Sequence, residues 1–91
     1  MIPVNPEFLD AYLEEESVLL EPRDQFDRAI IGIAARPNLG PVACYDVELV
    51  LDVLMKTQNF TRGGAIEWFE YNIASAWFGE GTPVFLVRGE G

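Results

Sequence analysis

The stretch from Ala29 to Asp46 sets the tightest limits on how this chain folds. Residues 29 to 34, AIIGIA, form a short apolar run with β-branched residues, which is typical of a buried strand. The next segment, RPNLGP at 36 to 41, is dense in turn formers, and residues 42 to 45 resume an extended pattern. The stretch therefore predicts two strands joined by a tight turn, with the first strand at the centre of the sheet.

Two helices with recognisable caps are predicted after this hairpin. Asp46 is suited to cap a helix that ends near Thr57, and Thr61 to cap another over residues 62 to 78. The apolar positions of the second helix recur three or four apart and form one face: Ala65, Ile66, Phe69, Ile73, Ala76 and Trp77. From this face we expect Phe69, Ile73 and Trp77 in the core.

The two ends of the chain supply one more helix and one more strand. Asn5, Pro6 and Glu7 predict the start of a helix over residues 6 to 15, followed by an extended connection over 17 to 27. Residues 82 to 87 predict a last strand, with Pro83 at its start or at a sheet edge. The expected fold is an α+β domain of order α-β-β-α-α-β, with a small three-stranded, mostly antiparallel sheet packed against two or three helices.

The charge of the chain is concentrated near its N-terminus. The net charge is −9 over 91 residues, and residues 1 to 27, here called the acidic arm, carry eight acidic residues against Arg23 alone. We predict an acidic helix and extended arm over 1 to 27 and a single α+β domain over 28 to 91. The excess of carboxylates argues against direct binding to nucleic acid or anionic membranes, which depends on Lys and Arg.

Two further patterns bear on location. No apolar stretch approaches the roughly 20 residues that a membrane span requires. The first ten residues have neither the basic region nor the apolar region of a secretory signal. We therefore expect a cytoplasmic protein.

The residue types limit the catalytic chemistry that is open to this chain. It contains no histidine, which excludes Ser/His/Asp and Cys/His catalysis and histidine metal sites. Cys44, the single cysteine, is expected to be a buried structural thiol. The acidic pairs Glu48/Asp52 and Glu67/Glu70 are typical of solvated helix surfaces. Because carboxylates can also hold a hard cation, a metal-assisted site made of carboxylates alone is the one enzymatic alternative left open. We predict no catalytic residue, no metal and no cofactor.

An aromatic run, AIEWFEYNIASAWFGEGTPVFL, occupies residues 65 to 86. Trp68 and Phe78 flank the predicted core face instead of lying at its centre. Together with Tyr71 they either close a gap at the sheet edge or form an exposed patch of the kind found at interfaces. We call Trp68, Tyr71, Phe78 and the nearby Glu80 the aromatic corner.

The second half of the chain resembles a family of small uncharacterised proteins from tailed phages and prophages. The similarity lies in PVACYD followed by a helix, and then in the Glu-aromatic-aromatic-Glu-aromatic-Asn core at 67 to 72, the Ala-Trp pair at 76 and 77, and the Gly-Glu-x-Thr-Pro turn at 79 to 83. The resemblance covers about residues 27 to 87. It implies a phage or prophage origin and a bacterial host cell, but no particular activity or site.

The leading hypothesis is a non-enzymatic phage accessory protein that binds a host or phage protein, such as a basic host protein. The candidate contact residues are Glu14, Glu15, Glu16 and Glu21 of the acidic arm and the aromatic corner, Trp68, Tyr71, Phe78 and Glu80. One alternative is an acidic DNA mimic that inhibits a host nuclease or defence protein. Another is a self-associating structural component, a homodimer formed through an exposed strand edge with Trp68 and Phe78.

Overall fold

The computed structural model describes residues 6 to 89. It contains a three-stranded sheet, with helices before and after the hairpin of its first two strands. The elements are α1 (Pro6–Tyr12), α2 (Arg23–Phe26), β1 (Ile30–Arg36), β2 (Leu39–Asp46), α3 (Val47–Gln58), α4 (Arg62–Phe69) and β3 (Val84–Leu86). A 3-10 turn, Asp27–Ala29, follows α2, and a π-helical turn, Glu70–Ala74, follows α4. The predicted α+β class is confirmed. No helix of the described residues is long and apolar enough to cross a membrane.

The strand order is β1-β2-β3, so β2 is the central strand. β1 and β2 are antiparallel, with Ile30 opposite Tyr45, whereas β3 joins the other side of β2 in parallel, with Phe85 opposite Tyr45. The prediction that the first strand is central was therefore wrong. Residues 31 to 34 of β1 are half-buried, as befits an edge strand. The apolar run alone could not reveal this, because the position of a strand in a sheet depends on which distant strand joins it.

The main hydrophobic cluster lies on the face of the sheet that carries Ala43 and Tyr45. Ala43 and Tyr45 are two residues apart on β2 and therefore face the same side, and both are fully buried. They belong to one cluster of buried residues: Leu9, Phe26, Ala29, Ile30, Ala43, Tyr45, Val50, Leu51, Val53, Leu54, Ala65, Phe69 and Ile73. This cluster joins the sheet to the helices that precede and follow the hairpin.

Both predicted helix caps are confirmed. The Asp46 carboxylate accepts a hydrogen bond from the Leu49 N–H at 3.1 Å and begins α3. The Thr61 hydroxyl accepts one from the Gly64 N–H at 3.1 Å and begins α4. Each cap satisfies a backbone donor that the first helical turn leaves without an intrahelical acceptor.

The last helix is shorter than predicted. α4 ends at Phe69 and widens into a π-helical turn that ends at Ala74, not at residue 78. Phe69 and Ile73 are buried as expected, but Trp77 is 73% exposed, so its placement in the core was wrong. The physical reason is that the predicted apolar face assumes 3.6 residues per turn. Residues at this spacing no longer share one face where the helix widens into a π-helical turn and then ends.

The acidic arm also differs from the prediction. α1 ends at Tyr12, before the three consecutive glutamates at 14 to 16, which a helix C-terminus disfavours. The predicted extended connection is wrong in part, because it contains α2, whose Arg23 pairs with Asp27 of the following 3-10 turn at 3.0 Å. The predicted N-cap, Asn5, lies outside the described residues.

The acidic arm shares the core of the rest of the chain. Leu9 from α1 is 1% exposed and Phe26 from α2 is 5% exposed, and both belong to the main hydrophobic cluster. The domain division at residue 27 stays a prediction. The packing shows that the described part of the arm is held against the sheet and helices that follow it.

Candidate functional site

Three hydrogen bonds fix the middle of the acidic arm on the domain. The Leu20 N–H donates to the Tyr45 hydroxyl at 2.8 Å, the Val18 N–H donates to the Gly81 carbonyl at 2.9 Å, and the Ser17 hydroxyl donates to the Pro41 carbonyl at 3.4 Å. Together with the buried Leu9, they give the glutamates at 14 to 16 a defined place on the molecular surface.

A groove with an apolar floor and an acidic rim runs between α1 and residues 17 to 19. Its volume is about 260 Å³, and we call it the leucine groove. The lining combines Leu9, Leu13 and Leu19 with the carboxylates of Asp10, Glu14 and Glu15. All three acidic residues are exposed, and within residues 6 to 89 none of them makes an ion pair with Lys or Arg. The groove therefore offers apolar contact beside carboxylates that no Lys or Arg of residues 6 to 89 contacts in an ion pair.

The structure brings Glu80 to the acidic arm. Glu14, Glu16 and Glu80 line one narrow cleft, together with Arg36. The pKa of Glu14 is raised by its hydrogen bond to Glu16 and by the negative charge of that residue, while Arg36 acts in the opposite direction. The cleft extends the acidic rim of the leucine groove, because Glu14 lines both.

A second groove, of about 280 Å³, lies beside the junction between α4 and the π-helical turn. This aromatic groove is lined by Phe60, Gly64, Glu67, Trp68, Tyr71 and Asn72. Trp68 is 38% exposed and Tyr71 is 77% exposed, which agrees with the exposed patch, one of the two alternatives that the sequence left open for these side chains. The centroids of the Phe60 and Trp68 rings are 6.4 Å apart. Phe60 was missed as a surface candidate because its place before the Thr61 cap indicated a packing role alone.

The remaining candidate residues lie elsewhere. Phe78 is 53% exposed and belongs to a turn in which its N–H donates to the Thr82 hydroxyl at 2.7 Å. It lines neither groove, so the aromatic corner divides into the aromatic groove and the turn that carries Phe78 and Glu80. Glu21 is exposed and lines neither the grooves nor the cleft.

Among the described residues, the other surface carboxylates do not assemble into a cation site. Among residues 6 to 89 no group of three or more His, Cys, Asp or Glu side chains is placed to hold a metal ion. Glu48 instead makes two 2.9 Å hydrogen bonds to Arg62, which lower the pKa of that carboxyl, and Asp52 pairs with Lys56 at 3.0 Å. These two ion pairs agree with the prediction that Glu48 and Asp52 belong to a solvated helix surface.

Cys44 is a half-buried free thiol on β2, less enclosed than the predicted buried thiol. Burial and, to a smaller extent, the negative charge of Asp46 raise the pKa of the thiol. The thiolate, which is the nucleophilic form, is therefore disfavoured at neutral pH.

Comparisons of the chain with protein-family models, with curated proteins and with solved structures found no match. Its function is therefore inferred from the charge, exposure and shape of the surfaces described above.

Proposed function

We propose that this chain is a non-enzymatic accessory protein of a phage or prophage that binds a basic protein partner through the leucine groove. The proposal rests on one observation: the leucine groove combines a floor of leucines with a rim of carboxylates. None of these carboxylates makes an ion pair with a Lys or Arg among residues 6 to 89. The phage origin rests on the sequence resemblance.

The groove suits an amphipathic segment that carries an apolar residue between lysines or arginines. An apolar side chain of the partner would pack on Leu13 and Leu19, and the flanking cations would face Asp10, Glu14 and Glu15. Interfaces of this kind gain most of their affinity from the buried anchor, whereas the charged rim sets the association rate and the choice of partner.

Two features of the arm favour binding of this kind. First, the groove is already formed in the free chain, because Leu9 is buried and the hydrogen bonds of residues 17 to 20 hold its far wall. A preformed surface loses less conformational entropy on binding than a disordered arm would lose. Second, Glu16 and Glu80 extend the negative surface beside the groove and would attract a basic partner at low ionic strength.

The test is a pull-down from nuclease-treated host lysate, performed at low and at high salt. The wild-type chain is compared with the double variant Glu14→Gln/Glu15→Gln and with the matched control Asp24→Asn/Glu70→Gln, whose two residues line neither the grooves nor the cleft. Both variants remove two exposed carboxylates, so their net charges are equal. We expect a basic protein that the wild type and the control retain and that the groove variant retains about two- to tenfold less, because each rim charge contributes modestly.

Equal retention by the two double variants would contradict the proposal, since it would show that overall charge and not the groove attracts the partner. Recovery of the chain alone would also contradict it. Displacement of the partner by duplex DNA would favour the mimic of nucleic acid instead. Truncation of residues 1 to 20 is unsuitable as a test, because it removes Leu9 from the core and the N–H group that donates to Tyr45.

A further inference from the structure

The aromatic groove is built by one face of a helix and by the residue that precedes that helix. Glu67, Trp68, Tyr71 and Asn72 follow one another at positions i, i+1, i+4 and i+5, which places them side by side across the change from α4 to the π-helical turn. Phe60 closes the other side. Gly64 is four residues before Trp68 and contributes no side chain, so nothing from this position fills the groove beside the Phe60 and Trp68 rings.

Two side chains of this groove, Glu67 and Asn72, offer hydrogen-bond acceptors. Glu67 makes no ion pair with any residue from 6 to 89, and no Lys or Arg lines the groove. The side-chain nitrogen of Asn72 donates to the Trp68 carbonyl at 3.0 Å. Its Oδ1 accepts no hydrogen bond from the described part of the chain. The groove thus combines aromatic rings with a free carboxylate and an amide oxygen.

We propose that the aromatic groove binds the guanidinium group of an arginine side chain. A guanidinium is planar and always charged, carries five N–H donors, and stacks on aromatic faces while it donates to a carboxylate. Trp68 and Tyr71 would supply the ring faces, and Glu67 would accept from the guanidinium nitrogens. A lysine ammonium has the charge but neither the plane nor the fork of donors, and a neutral side chain of the same shape lacks the charge.

This site extends beyond the proposed function. The aromatic groove shares no lining residue with the leucine groove, so either groove can bind without the other. Its ligand is also defined more narrowly, as one side-chain type instead of a basic protein surface.

The experiment follows the fluorescence of Trp68 during peptide titration. Trp77 is 73% exposed and lies outside the groove, so Trp77→Phe leaves Trp68 as the sole tryptophan reporter. The probes are three blocked tripeptides that differ at the central residue: arginine, lysine, and citrulline, which is the neutral analogue of arginine. We expect saturable binding of the arginine peptide, weaker binding of the lysine peptide, and no binding of the citrulline peptide.

Two substitutions in the same background locate the site. Glu67→Gln and Tyr71→Ala should each weaken binding of the arginine peptide about two- to fivefold, the range expected for one exposed ion pair or one cation–π contact. Glu70→Gln removes a carboxylate that is also exposed but does not line the groove, and it should leave the affinity unchanged. Both Glu67 and Tyr71 are exposed, so the variants should stay folded, which circular dichroism verifies.

Three results would overturn the proposal: equal affinity for the citrulline and arginine peptides, equal loss of affinity in Glu67→Gln and Glu70→Gln, or no response of Trp68 to any peptide. None of these depends on whether the leucine groove binds a partner, because the pull-down variants at Glu14 and Glu15 leave the aromatic groove intact.

Discussion

Gly81 lies directly against the backbone of Glu16. A Cβ atom added at Gly81 would overlap the carbonyl oxygen of Glu16, and the Gly81 carbonyl accepts a hydrogen bond from the Val18 N–H at 2.9 Å. Glycine at this position therefore allows the turn before β3 to meet the acidic arm. This contact is what brings Glu80 beside Glu14 and Glu16.

The first prediction concerns this close approach. Gly81→Ala should lower the free energy of unfolding by about 1 to 3 kcal/mol, because the overlapping atoms belong to backbone that cannot rotate away. Gly63→Ala is the matched control: an added Cβ meets nothing within 4 Å, and alanine favours the first turn of α4, so this change should stabilise by about 0.5 to 1 kcal/mol. Urea unfolding of both variants checks the pair, and an equal effect in the two would contradict the close approach.

The second prediction separates two aromatic residues that the sequence placed on one face. Phe69 is 7% exposed and meets the Phe85 ring edge-on at 5.2 Å, so Phe69→Ala should destabilise by about 3 to 5 kcal/mol. Trp77 is 73% exposed, so Trp77→Ala should change the free energy of unfolding by less than about 0.5 kcal/mol. Thermal and urea unfolding measure both. A large loss in Trp77→Ala would show that this side chain belongs to the core after all.

Features governed by near neighbours in the sequence were the ones that could be predicted. The caps at Asp46 and Thr61 depend on a hydrogen bond to a residue three positions later, and both are present. The class of fold also followed from local patterns. In contrast, the central position of β2 depends on β3, which pairs with it from about 40 residues further along the chain.

The candidate surfaces show the same limit. For Trp68 and Tyr71 the sequence left two alternatives open, a filled gap at the sheet edge and an exposed patch, and their exposure favours the second. The meeting of Glu80 with Glu14 was not predictable, because the contact through Gly81 joins distant parts of the chain. The leucine groove was missed as well, since whether Leu13 and Leu19 are buried together or form an open floor depends on how α1 docks.

The third prediction tests the two caps against each other. Asp46 is 1% exposed; it caps α3 and also pairs with Arg88. Asp46→Ala should therefore destabilise more than the roughly 1 kcal/mol that loss of a cap alone costs. Thr61→Ala removes an exposed cap of the same kind and should stay near that value. Urea unfolding at neutral pH measures the loss of stability in each variant. An equal loss in Asp46→Ala and Thr61→Ala would refute the added role of Asp46.

The fourth prediction concerns the buried hydroxyl of Tyr45, which holds the acidic arm by accepting from the Leu20 N–H at 2.8 Å. Tyr45→Phe keeps the ring but leaves that N–H without its acceptor. The variant should lose about 1 to 3 kcal/mol of stability at neutral pH. Unfolding in urea at pH 7 measures the loss.

The same hydroxyl makes stability depend on alkaline pH. Burial, opposed by the Leu20 hydrogen bond, raises the pKa of Tyr45 to about 12, whereas a phenol in the unfolded chain titrates near 10. Because the folded pKa is the higher one, the stabilisation is fully present below about pH 10 and is lost as the pH rises toward about 12, by up to roughly 1.4 kcal/mol per pH unit. Tyr45→Phe cannot titrate at this position, while Cys44, whose pKa burial also raises, contributes equally to both proteins. The difference in the free energy of unfolding between the wild type and Tyr45→Phe should therefore shrink between pH 10 and 12. A difference that stays constant across that range would show that the hydroxyl is not held in the buried, neutral form.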